Sequence, residues 1–446
     1  MKNTLIVHID KMVNEGVGLA TLGTGIKVFV PYAVKDDVLE IIIKEKKKDY
    51  WIGEIKKIIN PSPMRGKPLC RYFGSCGGCQ WQMVDYRYQP VLKREMVLDS
   101  FAHIAGIREI AVLDTIPSPR SYYYRNKVHF PVKRVSPKEV IMGFYKRNTH
   151  YIIDVDSCPL HLRQYHQIFR KAKIYLGERG LSIYDERTQK GVIRNFTIRG
   201  SEKTGESLIV VVTREKYLTR GTAQELMKLD STVIGVVENI NPQRGNAIFG
   251  DTSILRGGQD YFHEKIKNYT FVVSATSFFQ VNTDVAEKMV EALENILTQI
   301  GEVNTILDAY SGVGLFSIPA AKYSKKVIAL EILPSATRDA AKNIKINAKT
   351  NIELVEGDAN EVIESIERAD VVILDPPRKG ISENVVKYLA NYKPENVLYF
   401  SCNPATMARD IKLILQSGYD IEYVRPFDMF PQTFHVETLT YLKRKN

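Results

Sequence analysis

The sequence predicts a multidomain α/β protein in three parts: a small N-terminal β-barrel over residues 1–60, a central mixed α/β domain over 61–267, and a C-terminal doubly wound, Rossmann-like domain over 268–446. Three observations predict it. Short apolar runs separated by glycine fill the first part, strand and helix patterns alternate in the last, and the formal charge of +11 is concentrated between them. Lys and Arg number 10 against 8 Asp and Glu in residues 1–60 and 19 against 23 in residues 271–446, which leaves a surplus of 13 positive charges in residues 61–270.

The barrel rests on Gly16–Ala20, Lys27–Val30, Val38–Ile43 and Trp51–Ile55, apolar runs of strand length with tight turns between them. Pro61-Ser62-Pro63 breaks the pattern and reads as a linker. The central part holds a helical stretch around 86–105 and strand-like runs at Val192–Ile198 and Leu208–Val212. After residue 268, the apolar runs Thr305–Leu307, Lys326–Leu330, Ile352–Val355, Val371–Leu374 and Val397–Phe400 alternate with helical segments, the signature of a parallel sheet wound on both faces.

At 446 residues, 44% hydrophobic and 25% charged, the chain is neither disordered nor fibrous. No run approaches the roughly 18 apolar residues that span a bilayer. His8 and Asp10 interrupt the first aliphatic run before it could serve as a secretory signal, so the expectation is a soluble, cytoplasmic protein with no membrane partner. In the basic middle segment, tyrosines and amides interleave with Lys and Arg, as in Tyr122–Lys127 and Phe144–Asn148. Cations beside flat aromatic surfaces suit phosphates and stacked bases, so Arg125, Lys127, Lys146 and Arg147 are expected to face nucleic acid.

The strand over Thr305–Leu307 runs into Asp308-Ala309-Tyr310-Ser311-Gly312-Val313-Gly314, a glycine turn that lets backbone approach a nucleoside. Position 317 is Ser, so the third glycine of the dinucleotide fingerprint is missing and a smaller cofactor is favoured. Glu331 ends the second strand 19 residues after Gly312, where a carboxylate can accept both ribose hydroxyls, and Asp358 ends the third, near an adenine edge. Together they point to S-adenosylmethionine. The fourth strand delivers Asp375-Pro376-Pro377-Arg378, a rigid wall whose carboxylate faces the methyl acceptor; Arg378 stands where base-amine methylating enzymes usually place an aromatic.

Cys402 follows the fifth strand, far from the other four cysteines. A thiolate at a strand's carboxyl end is a candidate nucleophile, although a lone cysteine can equally be a small core residue. C5 of uracil is a poor nucleophile until a thiolate adds to C6; C5 then takes a methyl group, and a base must remove its proton before the thiolate can leave. Glu437 and His435 are the candidate bases.

Ser277–Asn282, Asp308–Gly314, Asp375–Gly380, Ser401–Asp410 and His435–Thr438 together resemble the RNA uracil-C5-methyltransferase family, and the similarity spans the whole chain. The resemblance implies Cys402 as nucleophile, Glu437 as base, and a cofactor pocket lined by Gln280, Tyr310, Glu331 and Asp375 with Asp358 beside them and Phe279 nearby. By the same resemblance, residues 1–60 with the basic loop Lys44–Lys48 look like a TRAM domain that delivers RNA. The substrate implied is structured RNA, 23S rRNA ahead of tRNA, with no obligate protein partner. Base N-methylation and RNA binding without catalysis are the other readings.

Cys70-x5-Cys76-x2-Cys79 with Cys158 is open, on spacing, to zinc, an iron–sulfur cluster or disulfides. The resemblance to the ribosomal-RNA branch of the family implies a [4Fe–4S] cluster on these four residues.

Overall fold

The computed structural model describes residues 4–445, so residues 1–3 of the expected barrel and Asn446 of the expected C-terminal domain lie outside the described residues. Its first sheet has six strands: β1 (Thr4–His8), β2 (Lys11–Val13), β3 (Val17–Thr21), β4 (Lys27–Pro31), β5 (Val38–Lys46) and β6 (Tyr50–Asn60). They lie in the order β1-β5-β6-β4-β3-β2. Register shifts along β5 and β6 curl the sheet, which closes over Val28, Val30, Leu39 and Ile41. Gly53 permits this curl, because a Cβ there would lie 2.8 Å from Ile41 Cδ1. The sequence reading omitted β1 and β2.

Pro61-Ser62-Pro63 is an anchored join rather than a free linker. Asp37 is fully buried; it accepts the Ser62 N–H at 2.8 Å, and the Arg65 guanidinium bonds both carboxylate oxygens at 2.8 and 2.6 Å. A buried carboxylate must have such partners, and meeting that need pins the chain.

Helix α1 (Gln89–Ser100) continues as a wide turn to Ala105 and confirms the helical stretch. Its partner was not visible in the sequence: Val97, Phe101 and Ala105 pack into the core of the C-terminal sheet, and Val112 and Ile116 bridge to Val424 and Phe427.

The central sheet comprises β7 (Lys127–Ser136), β8 (Glu139–Tyr145) and β9 (Ile152–Asp154), then α2 (Gln164–Glu178), β10 (Ile193–Ser201), β11 (Glu206–Thr213), α3 (Arg220–Met227), β12 (Val233–Ile240) and β13 (Thr252–Gly258). Its order is β13-β12-β11-β10-β7-β8-β9, with the apolar sides of α2 and α3 laid on one face. A hairpin follows, β14 (Tyr261–Ile266) and β15 (Tyr269–Ser274). The boundary expected at 267/268 falls in its turn, at Lys267 with φ 52°.

The last sheet is β16 (Val303–Ala309), β17 (Ser324–Glu331), β18 (Ile352–Glu356), β19 (Val371–Leu374), β20 (Asn396–Ser401), β21 (Tyr419–Phe427) and β22 (Glu437–Arg444), in the order β18-β17-β16-β19-β20-β22-β21. The first five are parallel; β22 runs antiparallel between β20 and β21. The helices are α4 (Thr283–Ile300), α5 (Ser317–Ala320), α6 (Pro334–Ile346), α7 (Ala359–Val362), α8 (Glu383–Tyr392) and α9 (Pro404–Gln416). Val371–Leu374 is buried on both sides, which explains its unbroken apolar run. The helix expected after the glycine turn is only the single turn α5 and a short 3-10 segment to Tyr323. Strand order reverses between β16 and β19, and the crevice at such a switch point is where open α/β sheets bind ligands. Among the described residues no helix is long and apolar enough to cross a membrane.

Candidate active site

The carboxyl ends of β16, β17, β19 and β20 deliver the glycine turn, Glu331, Asp375 and Cys402. Cys402 sits at the join of β20 and α9, where the Asn403 side chain caps the helix by accepting the Ala405 N–H at 3.1 Å and Pro404 begins it. Register does the rest. Ser401 lies opposite Thr438 in the antiparallel pair β20–β22, so the next step along puts Cys402 across from Glu437.

Glu437 is 2% exposed, and its Oε1 has no hydrogen-bond partner among the described residues. Burial, with Asp375 nearby, raises its pKa well above the carboxylate range, and only Arg378 opposes. Burial also pushes the Cys402 thiol up to about 11, assisted by the Glu437 and Asp375 charges; Arg378 pulls the other way by charge and by a hydrogen bond. Asp375 is raised by burial and by Asp308. Asp308 is itself raised to about 7 by burial, although the Ser317 hydroxyl donates to it. His435, tilted against Phe434 with ring centroids 4.1 Å apart, is held down to about 4, chiefly by burial. Cys402, Glu437, Asp375 and Arg378 thus form one electrostatic unit, in which Arg378 is the charge that favours a thiolate. The sequence reading took Arg378 only as a missing aromatic.

On the cofactor side, Tyr310 and Gly312 adopt left-handed backbone, φ 78° and 57°. A Cβ at Gly312 would meet nothing within 4 Å, so the turn borders open space. Glu331 accepts the Gly312 N–H at 2.8 Å and the Leu333 N–H at 2.7 Å, which orients its carboxylate at the rim of the turn. Ile332 and Leu333 leave half their surface exposed beside it, an apolar shelf that sequence reasoning missed. An open glycine turn, an oriented carboxylate and this shelf fit a nucleoside-bearing cofactor.

Asp358 caps α7, accepting the Asn360 N–H at 2.9 Å, and its charge reaches Tyr310, whose hydroxyl is pushed up to about 12 mainly by burial. Gln280 is buried in the segment before α4, where its carbonyl accepts from Asn126 Nδ2 at 2.9 Å. Phe279 is a core residue against Phe271, while its neighbour Phe278 is 58% exposed.

Arg125 and Lys127, two of the four cations expected to face nucleic acid, are half-buried. Arg125 lines the cavity of the cysteine cluster, and Lys127 is pushed down to about 7 by burial and by Arg199 and Arg125. Cys70, Cys76, Cys79 and Cys158 converge on that cavity, which measures about 40 Å³. All are free thiols. Burial pushes Cys79 up to about 12 and also raises Cys158, with the Cys79 charge adding to it. Among the described residues no three His, Cys, Asp or Glu side chains stand at single-ion spacing. Four soft sulfur donors around one cavity, with Arg125 to offset their charge, are a donor set that suits a thiolate-bound metal group.

A strand order with the switch point after its first strand, a glycine turn there and a carboxylate one strand over define a class, the S-adenosylmethionine-dependent methyltransferases, and this chain is one of them. Residues 255–371 and 365–445 match the tRNA (Uracil-5-)-methyltransferase family. An uncharacterized RNA methyltransferase of Halalkalibacterium halodurans is 35% identical over 453 residues, covering 100% of this chain and 98% of that protein. Another, from Gloeobacter violaceus, is 34% identical over 99% of this chain and 96% of its own. The crystal structure of Pyrococcus abyssi tRNA (uracil-54, C5)-methyltransferase in complex with S-adenosyl-L-homocysteine superposes with a TM-score of 0.77 at 28% identity, covering 98% of this chain and 99% of that one. The protein belongs to the RNA (uracil-5-)-methyltransferase family.

Proposed function

We propose that the enzyme makes 5-methyluridine in structured RNA, with 23S rRNA as its substrate, through a covalent link from Cys402 to uracil C6. The observation that carries the reading is the register of β20 and β22, which sets the thiol of Cys402 across from the buried carboxylate of Glu437. S-adenosylmethionine, when bound, supplies the methyl group. Tyr310, Glu331, Asp358 and the Ile332 shelf hold its nucleoside, and Gln280 and Asp375 line the side that faces the base. Arg378 stabilises the Cys402 thiolate for addition to C6. Glu437, ionised, then takes the C5 proton, and the electron pair left behind expels the thiolate. His435, held near a pKa of 4, is too weak a base for this step.

The same reading takes residues 1–60 as a TRAM domain, 61–267 as a basic central domain with a [4Fe–4S] cluster on Cys70, Cys76, Cys79 and Cys158, and 268–446 as the methyltransferase domain of a cytoplasmic enzyme. The convergence of the four thiols on one cavity supports the cluster. Methylation of tRNA is the second reading, favoured by the likeness to the uracil-54 enzyme.

Cys402→Ala is expected to abolish methyl transfer while leaving S-adenosylhomocysteine binding within a few fold, and Glu437→Gln to trap a protein–RNA adduct visible on denaturing gels. Turnover in Cys402→Ala sinks the covalent mechanism. Mapping 5-methyluridine in rRNA and tRNA from cells lacking the gene decides between the two RNAs.

A further inference from the structure

A groove of about 1250 Å³ crosses the β7–β8 side of the central sheet and ends at Phe434, three residues before Glu437 in the segment that enters β22. Its volume exceeds that of ordinary small-ligand pockets, about 300–1,000 Å³. One rim is the turn from Tyr145 to Tyr151, fastened to the cysteine loop by the Gly77 N–H, which donates to the Tyr145 carbonyl at 3.0 Å. Arg187 and Arg194 also line the groove.

The lining is mixed in a particular way. Lys133 and Lys146 are exposed and have no ion-pair partner among the described residues, and Arg187 is exposed with the Asp185 carboxylate near it. The carboxylates present are engaged: Glu15 lies 3.7 Å from Arg147, Glu186 lies 3.2 Å from His150, and Asp185 accepts the Thr188 N–H at 2.8 Å. Tyr151 is 74% exposed, the most open large hydrophobic side chain among the described residues, with no ring packed on it among them. Free cations spaced along a groove bind phosphates, and a bare ring binds a base face. A paired A-form helix hides its base faces and presents phosphates and 2′-hydroxyls, so it has no use for Tyr151.

On the reading of the enzyme as an RNA uridine methyltransferase, we infer that this groove holds the unpaired RNA strand flanking the target uridine, with phosphates on Lys133, Lys146 and Arg187 and a base stacked on Tyr151. The strand leaves the groove at Phe434, where the next nucleotide reaches Cys402. The central sheet rather than the catalytic sheet therefore reads the flank.

The test uses the full chain with two fluorescent RNAs of one composition, an unpaired uridine-containing strand and a perfect duplex. The strand is expected to bind at least tenfold more tightly. The pair Lys133→Ala and Lys146→Ala is expected to flatten the log–log salt slope by about 1.4, at roughly 0.7 per lost contact. Tyr151→Ala is expected to weaken strand binding about tenfold with the slope unchanged, the loss of one stacked base. S-adenosylhomocysteine affinity and melting temperature stay at wild-type values in these variants, and Lys412→Ala, at an exposed lysine of α9 outside the groove lining, serves as the charge control. Equal binding of duplex and strand, or groove variants indistinguishable from Lys412→Ala, overturns the groove while leaving the methyltransferase reading intact. Groove-dependent binding by a wild-type enzyme that transfers no methyl to uridine upholds the groove and overturns that reading instead.

Discussion

Cys402 keeps its proton in the enzyme without RNA, because burial and two carboxylates push its thiol up to about 11 against the single opposing charge of Arg378. Each unit of further rise lowers the thiolate fraction at pH 8 tenfold. Arg378→Gln removes the one group that lowers this pKa, so iodoacetamide should modify Cys402 several-fold more slowly at pH 8 and the midpoint of its pH profile should move up. An unchanged profile would mean that Arg378 does not govern the thiol. The sign for Glu437 follows from the same crowding. A base must be ionised, and its raised pKa shifts the acid limb of the kcat profile to a pH above that of an ordinary carboxylate. At this scale the sequence was read well: every strand-end residue it named stands at a strand end. Asp358 serves as a helix cap, and Phe279 belongs to the core.

Between β21 and β22, the segment 428–436 carries Phe434 and His435 and sets the start of β22 at Glu437. It is clamped from α1. Lys93 forms a fully buried ion pair with Asp428 and donates to the Phe430 carbonyl at 3.0 Å, while Gln89 Nε2 donates to Gln432 Oε1 at 3.1 Å and the Gln432 N–H returns a bond at 2.9 Å. Removing one partner of a buried pair strands the other charge, so Lys93→Met should cost about 3–5 kcal/mol, and Asp428→Asn in the same chain should restore much of it. Urea unfolding of the two variants measures this. If Lys93→Met unfolds like wild type, the pair does not anchor the segment. Nothing in the spacing of residues 89–93 announces this partnership, because its two halves are more than 330 residues apart.

The three sheets are joined by charge and by shared apolar surface. Lys35 Nζ meets Glu95 at 2.8 Å and Lys11 pairs with Asp99, tying the first sheet to α1, and Met12 and Val34 pack with Trp81, Met83, Leu92 and Met96. The same α1 lies on the C-terminal core. Deleting residues 1–60 should therefore do more than weaken RNA binding. It bares an apolar patch on α1 and should lower the melting temperature of the remainder. A remainder that melts as the full chain does would show that the first sheet is an independent attachment after all.

What the sequence determined by itself are the features that are local or periodic: the apolar runs that become β3–β6 and β16–β20, the glycine turn with Glu331 one strand on, the separation of Cys402 from the other cysteines, and the basic surplus of residues 61–270. These follow from side-chain period, backbone freedom and composition, which need no partner to be read. Only the tertiary structure decided which cations face solvent. Arg125 and Lys127 look like Lys146 in sequence, yet the first lines the thiol cavity and the second is half-buried, with its Nζ 5.8 Å from the Phe278 ring centroid. The structure alone also revealed Arg378 as the charge beside Cys402, the Pro-Ser-Pro join pinned by Asp37, and α1 as the brace of the segment before Glu437. Burial and charge proximity are properties of pairs brought together by the fold, and their energies depend on distances that no linear spacing encodes.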